Sequence, residues 1–242
     1  LYRVVGDVSG MAETLNRLGG NYYDMGAFPE AKRCWQESYA LFRSVGDRSG
    51  MARGLSNLGE VARHLGDYAT SRQQAEESLA LLHEIGHGWQ AIHPLNNLGI
   101  LAHFAGRYDE ARRLHRECLT IAQDICDQRL IATSQLRLAA VSMESGALQE
   151  AHELHAASLA HYRQIGHLRG IVACLTSMGQ LAIRRGDHAA APRLFEASLE
   201  IAQVIGDRLA MSRALSARTA RSAISGRLLP VFAGSGDMPR TE

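Results

Sequence analysis

The chain has 242 residues, 46% hydrophobic and 21% charged, with 26 basic against 25 acidic side chains and a formal net charge of +1. That length is ample to bury a core in one domain or two, while the balanced charge lacks the basic surplus that direct nucleic-acid binding requires. No run of about 18 apolar residues is present, so no membrane span is expected. With no charged-then-apolar leader, the expected location is cytoplasmic.

Four cysteines, none in a C-x-x-C pair, argue against a disulfide framework or a zinc module. Lys32 is the single lysine, so 25 of the 26 basic residues are arginine. This bias points to a GC-rich, bacterial genome rather than to chemistry.

Compared with itself, the chain repeats every 40 residues: Gly6-Asp7, Gly46-Asp47, Gly86-His87, Cys126-Asp127, Gly166-His167 and Gly206-Asp207. Gly26, Gly66, Gly106, Gly146, Gly186 and Gly226 form a second series, and Leu18-Gly19, Leu58-Gly59, Leu98-Gly99, Leu138-Ala139 and Met178-Gly179 a third. Three series with one period and no slip identify a repeat protein.

In chain order, residues 1–11 (LYRVVGDVSGM) align with residues 41–51 (LFRSVGDRSGM). Residues 1–10 therefore read as a partial unit: the chain is expected to open inside a second helix and to be a fragment of a longer array. Leu1, Tyr2, Val4 and Val5 would leave an apolar end open there, and self-association through it is a further expectation. Five units follow, over about 11–46, 47–86, 87–126, 127–166 and 167–206.

Each unit contains two segments of helical periodicity. In 47–86, Met51, Leu55, Leu58, Ala62 and Leu65 fall at steps of three or four, and Ala75, Ser78, Leu79, Leu82 and Ile85 repeat the pattern. Glycine suits the left-handed residue after a helix end, and the aspartate after it suits the next N-cap. A capping helix is expected over about 207–225, and a flexible tail, with two prolines and three glycines from Gly226, over 227–242.

Gly19, Gly59, Gly99 and Gly179 sit in mid-helix, where glycine costs about 1 kcal/mol relative to alanine. Close approach of a second helix explains them, with Ala31, Ser71, Ala111, Ala151 and Ala191 expected opposite. Because a lone hairpin cannot bury both its faces, the units must stack into a solenoid.

These residues resemble the tetratricopeptide repeats. The first unit supplies Leu15, Leu18-Gly19, Tyr22, Ala31, Trp35 and Ser38; the second supplies Leu55, Leu58-Gly59, Ala62, Ser71, Ala75 and Ser78. The resemblance implies an all-α fold, a right-handed superhelical solenoid of antiparallel helix hairpins. The family period is about 34 residues; the period of 40 here is similar to that of the sensor region of bacterial multidomain regulators, with nucleotide-switch and LuxR- or SARP-like output domains. Spindle-orientation adaptors and kinesin light chains share it, and the arginine bias favours the bacterial group. No P-loop string is present.

His83-Glu84-Ile85-Gly86-His87 matches the zinc-protease string H-E-x-x-H, with His93 where a third ligand would fall. The repeat register opposes this, because Gly86 is a helix-ending glycine. A metallohydrolase through His83 and His87 stays a remote alternative; no enzyme activity, metal or cofactor is expected. His155 replaces the packing residue Trp35 or Phe195, and the cysteines Cys34, Cys118, Cys126 and Cys174 read as structural.

The resemblance further implies that first helices line a concave groove, with four positions in each facing a ligand. They are Glu13, Asn16, Arg17 and Gly20; Arg53, Ser56, Asn57 and Glu60; His93, Asn96, Asn97 and Ile100; Thr133, Leu136, Arg137 and Ala140; and Ala173, Thr176, Ser177 and Gln180. Arg63, His64 and His103 lie one turn further on.

Asn57 and Asn97 would form a two-rung amide ladder for a peptide backbone. Arg17 and Arg137 would take carboxylates or phosphates. The expected partner is a protein or peptide, with acidic groups among its contacts. The expected groove comprises Asn16, Arg17, Arg53, Asn57, Glu60, His64, His93, Asn97, His103 and Arg137. The rival from another class is a structural spacer without a dedicated ligand.

Overall fold

In a computed structural model, residues 7–86 and 88–207, together with 211, 212 and 215, are described. They divide into two compact units, Leu1–His167 and Leu168–Glu242. The first holds α1 (Val8–Asp24), α2 (Phe28–Ser44), α3 (Arg48–His64), α4 (Tyr68–Glu84), α5 (Ile92–Phe104), α6 (Tyr108–Asp124), α7 (Gln128–Glu144) and α8 (Leu148–Gln164). The second holds α9 (Leu168–Arg184) and α10 (Ala190–Val204). The fold is all-α, and consecutive helices pair as hairpins, as expected of a tetratricopeptide solenoid.

The punctuation of the sequence does what its chemistry predicts. Asp7, Asp47, Asp67, Asp127 and Asp187 each accept from a backbone N–H in the first turn of the next helix, at 2.8–3.1 Å. Each helix end closes on a residue of positive φ, such as Gly26 at +76°. The Ala27 N–H then donates to the Tyr22 carbonyl at 2.9 Å and satisfies an orphan acceptor. Cys126 takes the glycine's place in one unit with φ +55°.

Inside each hairpin, the small residues permit two contacts. A Cβ on Gly19 would lie 2.5 Å from Trp35, on Gly99 2.5 Å from His115 and on Gly179 2.6 Å from Phe195. The ring four residues beyond Ala31, Ala111 or Ala191 therefore presses on the glycine, which corrects the expectation that those alanines lie opposite it. Only Gly59 faces the expected partner, the Ser71 carbonyl at 3.2 Å, because Ala75 stands where the ring would be.

The second contact is a hydrogen bond that recurs along the array. Ser38 donates to the Ala12 carbonyl at 2.8 Å, Ser78 to Ala52 at 2.8 Å, Ser158 to Ala132 at 2.7 Å and Ser198 to Val172 at 3.2 Å. All four hydroxyls are buried, so the bond both satisfies the serine and pins the hairpin. In the third unit the thiol of Cys118 replaces the hydroxyl, 3.5 Å from the Ile92 carbonyl.

One connection breaks the pattern. Where α3 and α7 are capped by Asp47 and Asp127, 88–91 forms a 3-10 turn, Gly88–Ala91, and α5 has 13 residues where α3 and α7 have 17. Four missing residues are about one helical turn. Helix α4 ends at Glu84, and Gly86 has φ +71°, so the H-E-x-x-H string does not lie on one helix. His87, the partial unit's Leu1, Tyr2, Val4 and Val5, most of the expected capping helix and the whole expected tail lie outside the described residues.

Candidate functional site

Helices α1, α3, α5 and α7 place the predicted groove residues of the first unit. Asn16, Arg53, Asn57 and His93 line one cavity of about 280 Å³, with Trp89 and Gln90 at its edge. Their register explains the convergence: Asn57 and His93 project from successive first helices, while Trp89 and Gln90 come from the irregular turn. Asn57 donates from Nδ2 to Asn16 Oδ1 at 2.9 Å, and Arg53 pairs with Glu13. His93 is open to solvent yet surrounded by protein, and this burial lowers its pKa.

A second group lies around the ends of α1 and α3. The Tyr23 hydroxyl donates to Glu60 Oε1 at 2.7 Å and lies 2.8 Å from His64 Nε2. Burial first, and the Glu60 charge second, raise the pKa of that phenol. His64 stacks on Phe28 with ring centroids 4.8 Å apart. Arg63 donates from Nε to Asn97 Oδ1 at 2.8 Å, and its guanidinium lies 3.7 Å from Glu60.

Asn97 is buried at 4% exposure, and its Nδ2 donates to the Ser71 hydroxyl at 2.9 Å. Both ends of its amide are thus engaged within the protein. The ladder expected of Asn57 and Asn97 is accordingly an internal arrangement, with Asn57 on Asn16 and Asn97 on Ser71 and Arg63.

Arg137, on α7, reaches toward the same group from the far side. Its charge interacts with Arg63 and Glu60 of α3, Tyr23 of α1 and Tyr162 of α8. By accessible surface the side chain is exposed, while protein atoms crowd around its charge. Burial foremost, then the like charge of Arg63, pull its pKa below the ordinary arginine value. Among the described residues it makes no hydrogen bond and no ion pair, and the same is true of exposed Arg17 on α1. His103 meets Tyr108 edge-on at 5.9 Å, and burial lowers its pKa.

Chemically, the arrangement offers amide and arginine donors on an inner face. Among the described residues no group of three His, Cys, Asp or Glu side chains is placed to hold a metal ion, and no helix is long and apolar enough to cross a membrane. The second unit places Thr176 within 2.7 Å of Ser198, a contact inside its own hairpin. Tyr23, Trp89, Gln90 and Tyr162 were not among the predicted groove residues. Tyr23 lies two turns beyond Asn16 on one face of α1, which periodicity reveals, whereas Tyr162 comes from a second helix and only packing brings it in.

The Tetratricopeptide repeat profile matches residues 10–82, 50–124 and 130–218. No curated protein matches the sequence significantly. Among solved structures, the chain is similar to a Rap protein complexed with Competence and Sporulation Factor, with TM-score 0.74, 13% identity and coverage of 89% of this chain and 66% of that one. It is similar also to the Rap conjugation gene regulator of plasmid pLS20 in complex with the Phr* peptide, with TM-score 0.75, 16% identity, and 88% and 59% coverage. A Podosopora anserina kinesin light chain of nearly identical TPR-like repeats gives TM-score 0.60 and 17% identity over 82% of this chain and 97% of that one. The chain thus spans less than two thirds of the length of the two Rap chains. With three matched segments covering most of its residues, the chain belongs to the tetratricopeptide repeat family.

Proposed function

We propose that the inner face of α1, α3, α5 and α7 binds a protein or peptide and that an anionic group of this ligand docks at Arg137. The observation that carries this is Arg137 itself: an exposed arginine whose charge is partly desolvated and opposed by the like charge of Arg63, with no hydrogen bond or ion pair among the described residues. Such a guanidinium gains most from an incoming carboxylate or phosphate, which it can hold bidentately. The Phr* peptide complex of one Rap structure and the Competence and Sporulation Factor complex of the other support the same use of the fold. In this proposal the cavity at Asn16, Arg53, Asn57 and His93 receives a neighbouring side chain of the ligand. The chain acts as the sensor region of a larger bacterial regulator, in which ligand binding imposes or relieves restraint on a linked output domain.

The test is a pull-down with the chain as bait beside an Arg53→Ala/Arg137→Ala control, read by mass spectrometry. A partner held by the native chain and lost by the control supports the groove. Identical captures, or none, favour the spacer role. The internal pairs Asn57–Asn16 and Arg53–Glu13 are the specific observation behind that second role, since they occupy polar tips that a ligand would otherwise use.

A further inference from the structure

The irregular turn before α5 borders a cavity. The 3-10 turn Gly88–Ala91 packs against α4 and α6 and contributes Gly88, Trp89 and Ala91 to the lining. The cavity has a volume of about 690 Å³, within the range of small-molecule sites. Its wall is largely apolar, from Leu79, Leu82, Leu95 and Ile121. Trp89 stands at it with 55% of its surface exposed, an unusual position for so large an apolar ring.

Among the described lining residues the carboxylates are Glu117 and Asp124. Glu117, Ile121 and Asp124 follow one another at steps of four and three residues, so α6 presents them as a single stripe. Both carboxylates line the cavity, and neither makes a hydrogen bond or an ion pair among the described residues. The other titratable side chain in the described lining is His83. An aromatic face beside unpaired carboxylates attracts organic cations, by the ring quadrupole and by direct charge.

We infer that this cavity is a second binding site, for an amphiphilic organic cation. The apolar body of the ligand seats on Leu82, Leu95 and Ile121, and its ammonium group lies between the Trp89 ring and the carboxylates of Glu117 and Asp124. The site does not depend on the groove being a peptide site. Trp89 and Leu82 are shared by the two cavities, so an occupied outer site has a direct route to the inner one.

The two tryptophans make the test direct. Trp35 is 3% exposed with its indole N–H donated to the Asn16 carbonyl at 3.0 Å, whereas Trp89 is exposed. Titrating the whole chain with phenylbutylammonium should give a saturable blue shift of tryptophan emission, absent in Trp89→Phe. Phenylbutanol and phenylbutyrate, with the same apolar body, should bind at least about five-fold more weakly. Glu117→Gln/Asp124→Asn, two exposed substitutions, should bring the cation down to the affinity of the alcohol while circular dichroism stays unchanged. Equal affinities for the three probes, an unaffected double variant, a shift that survives Trp89→Phe, or no saturable shift would each overturn the assignment. Pull-down results at Arg53 and Arg137 bear only on the groove, so the two proposals fail separately.

Discussion

Gly99 and His115 interlock: a Cβ on the glycine would sit 2.5 Å from the imidazole Cε1. The same geometry joins Gly19 to Trp35 and Gly179 to Phe195, so the helix-weakening glycine is the seat of a ring. Gly99→Ala should therefore destabilise the chain by about 1–3 kcal/mol, because overpacking outweighs the better helix propensity. Gly20, next to Gly19 but with nothing within 4 Å of its Cβ position, should respond oppositely, gaining up to about 1 kcal/mol as alanine. Urea denaturation of both variants checks the pair, and equal effects would sink the account.

His115 and His155 should make folding acid-sensitive. Burial keeps both neutral, with pKa values pushed down to about 3 and about 4. Unfolding frees each to bind a proton near the usual ~6.5. Their contribution is thus complete above that pH and falls as pH drops, by about 1.4 kcal/mol per unit for each histidine. Between pH 7 and pH 5 the two together should remove on the order of 4 kcal/mol. Denaturant melts across that window measure the slope. His115→Phe, which copies the Phe195–Gly179 pair, should roughly halve it.

Cys126 occupies a left-handed conformation at φ +55° in which the other units use glycine. Side-chain strain there costs about 1–2 kcal/mol. Cys126→Gly should raise stability by about 0.5–1 kcal/mol after the entropy of the glycine is discounted. A melting temperature that falls instead would show that the thiol has a compensating contact.

Asn97 and Arg137 should separate stability from binding. Asn97 is buried and bonded at both ends of its amide, so Asn97→Ala should cost about 1–3 kcal/mol in urea melts, whatever it does to binding. Arg137 has no hydrogen bond or ion pair among the described residues, and Arg137→Ala should change stability by less than about 0.5 kcal/mol. Loss of the captured partner at unchanged stability would mark Arg137 as a ligand contact. A destabilised Arg137→Ala would mark it as structural.

The sequence by itself determined the repeat and the fold class, because these rest on local physics. Positive-φ glycines end helices, aspartates cap them, and steps of three and four residues make the apolar stripes, and none of this needs knowledge of distant residues. It also showed that the string around His83 crosses a helix end. Tertiary structure decided which polar side chains remain to meet a ligand. Asn57 and Asn97 occupy equivalent positions, yet one lines a cavity and the other is buried between Ser71 and Arg63. A serine one hairpin away made that difference, and repeat register cannot express it. The shortened α5 is of the same kind, because a cavity is a gap between helices. Its size depends on how closely they pack, which only the folded chain sets.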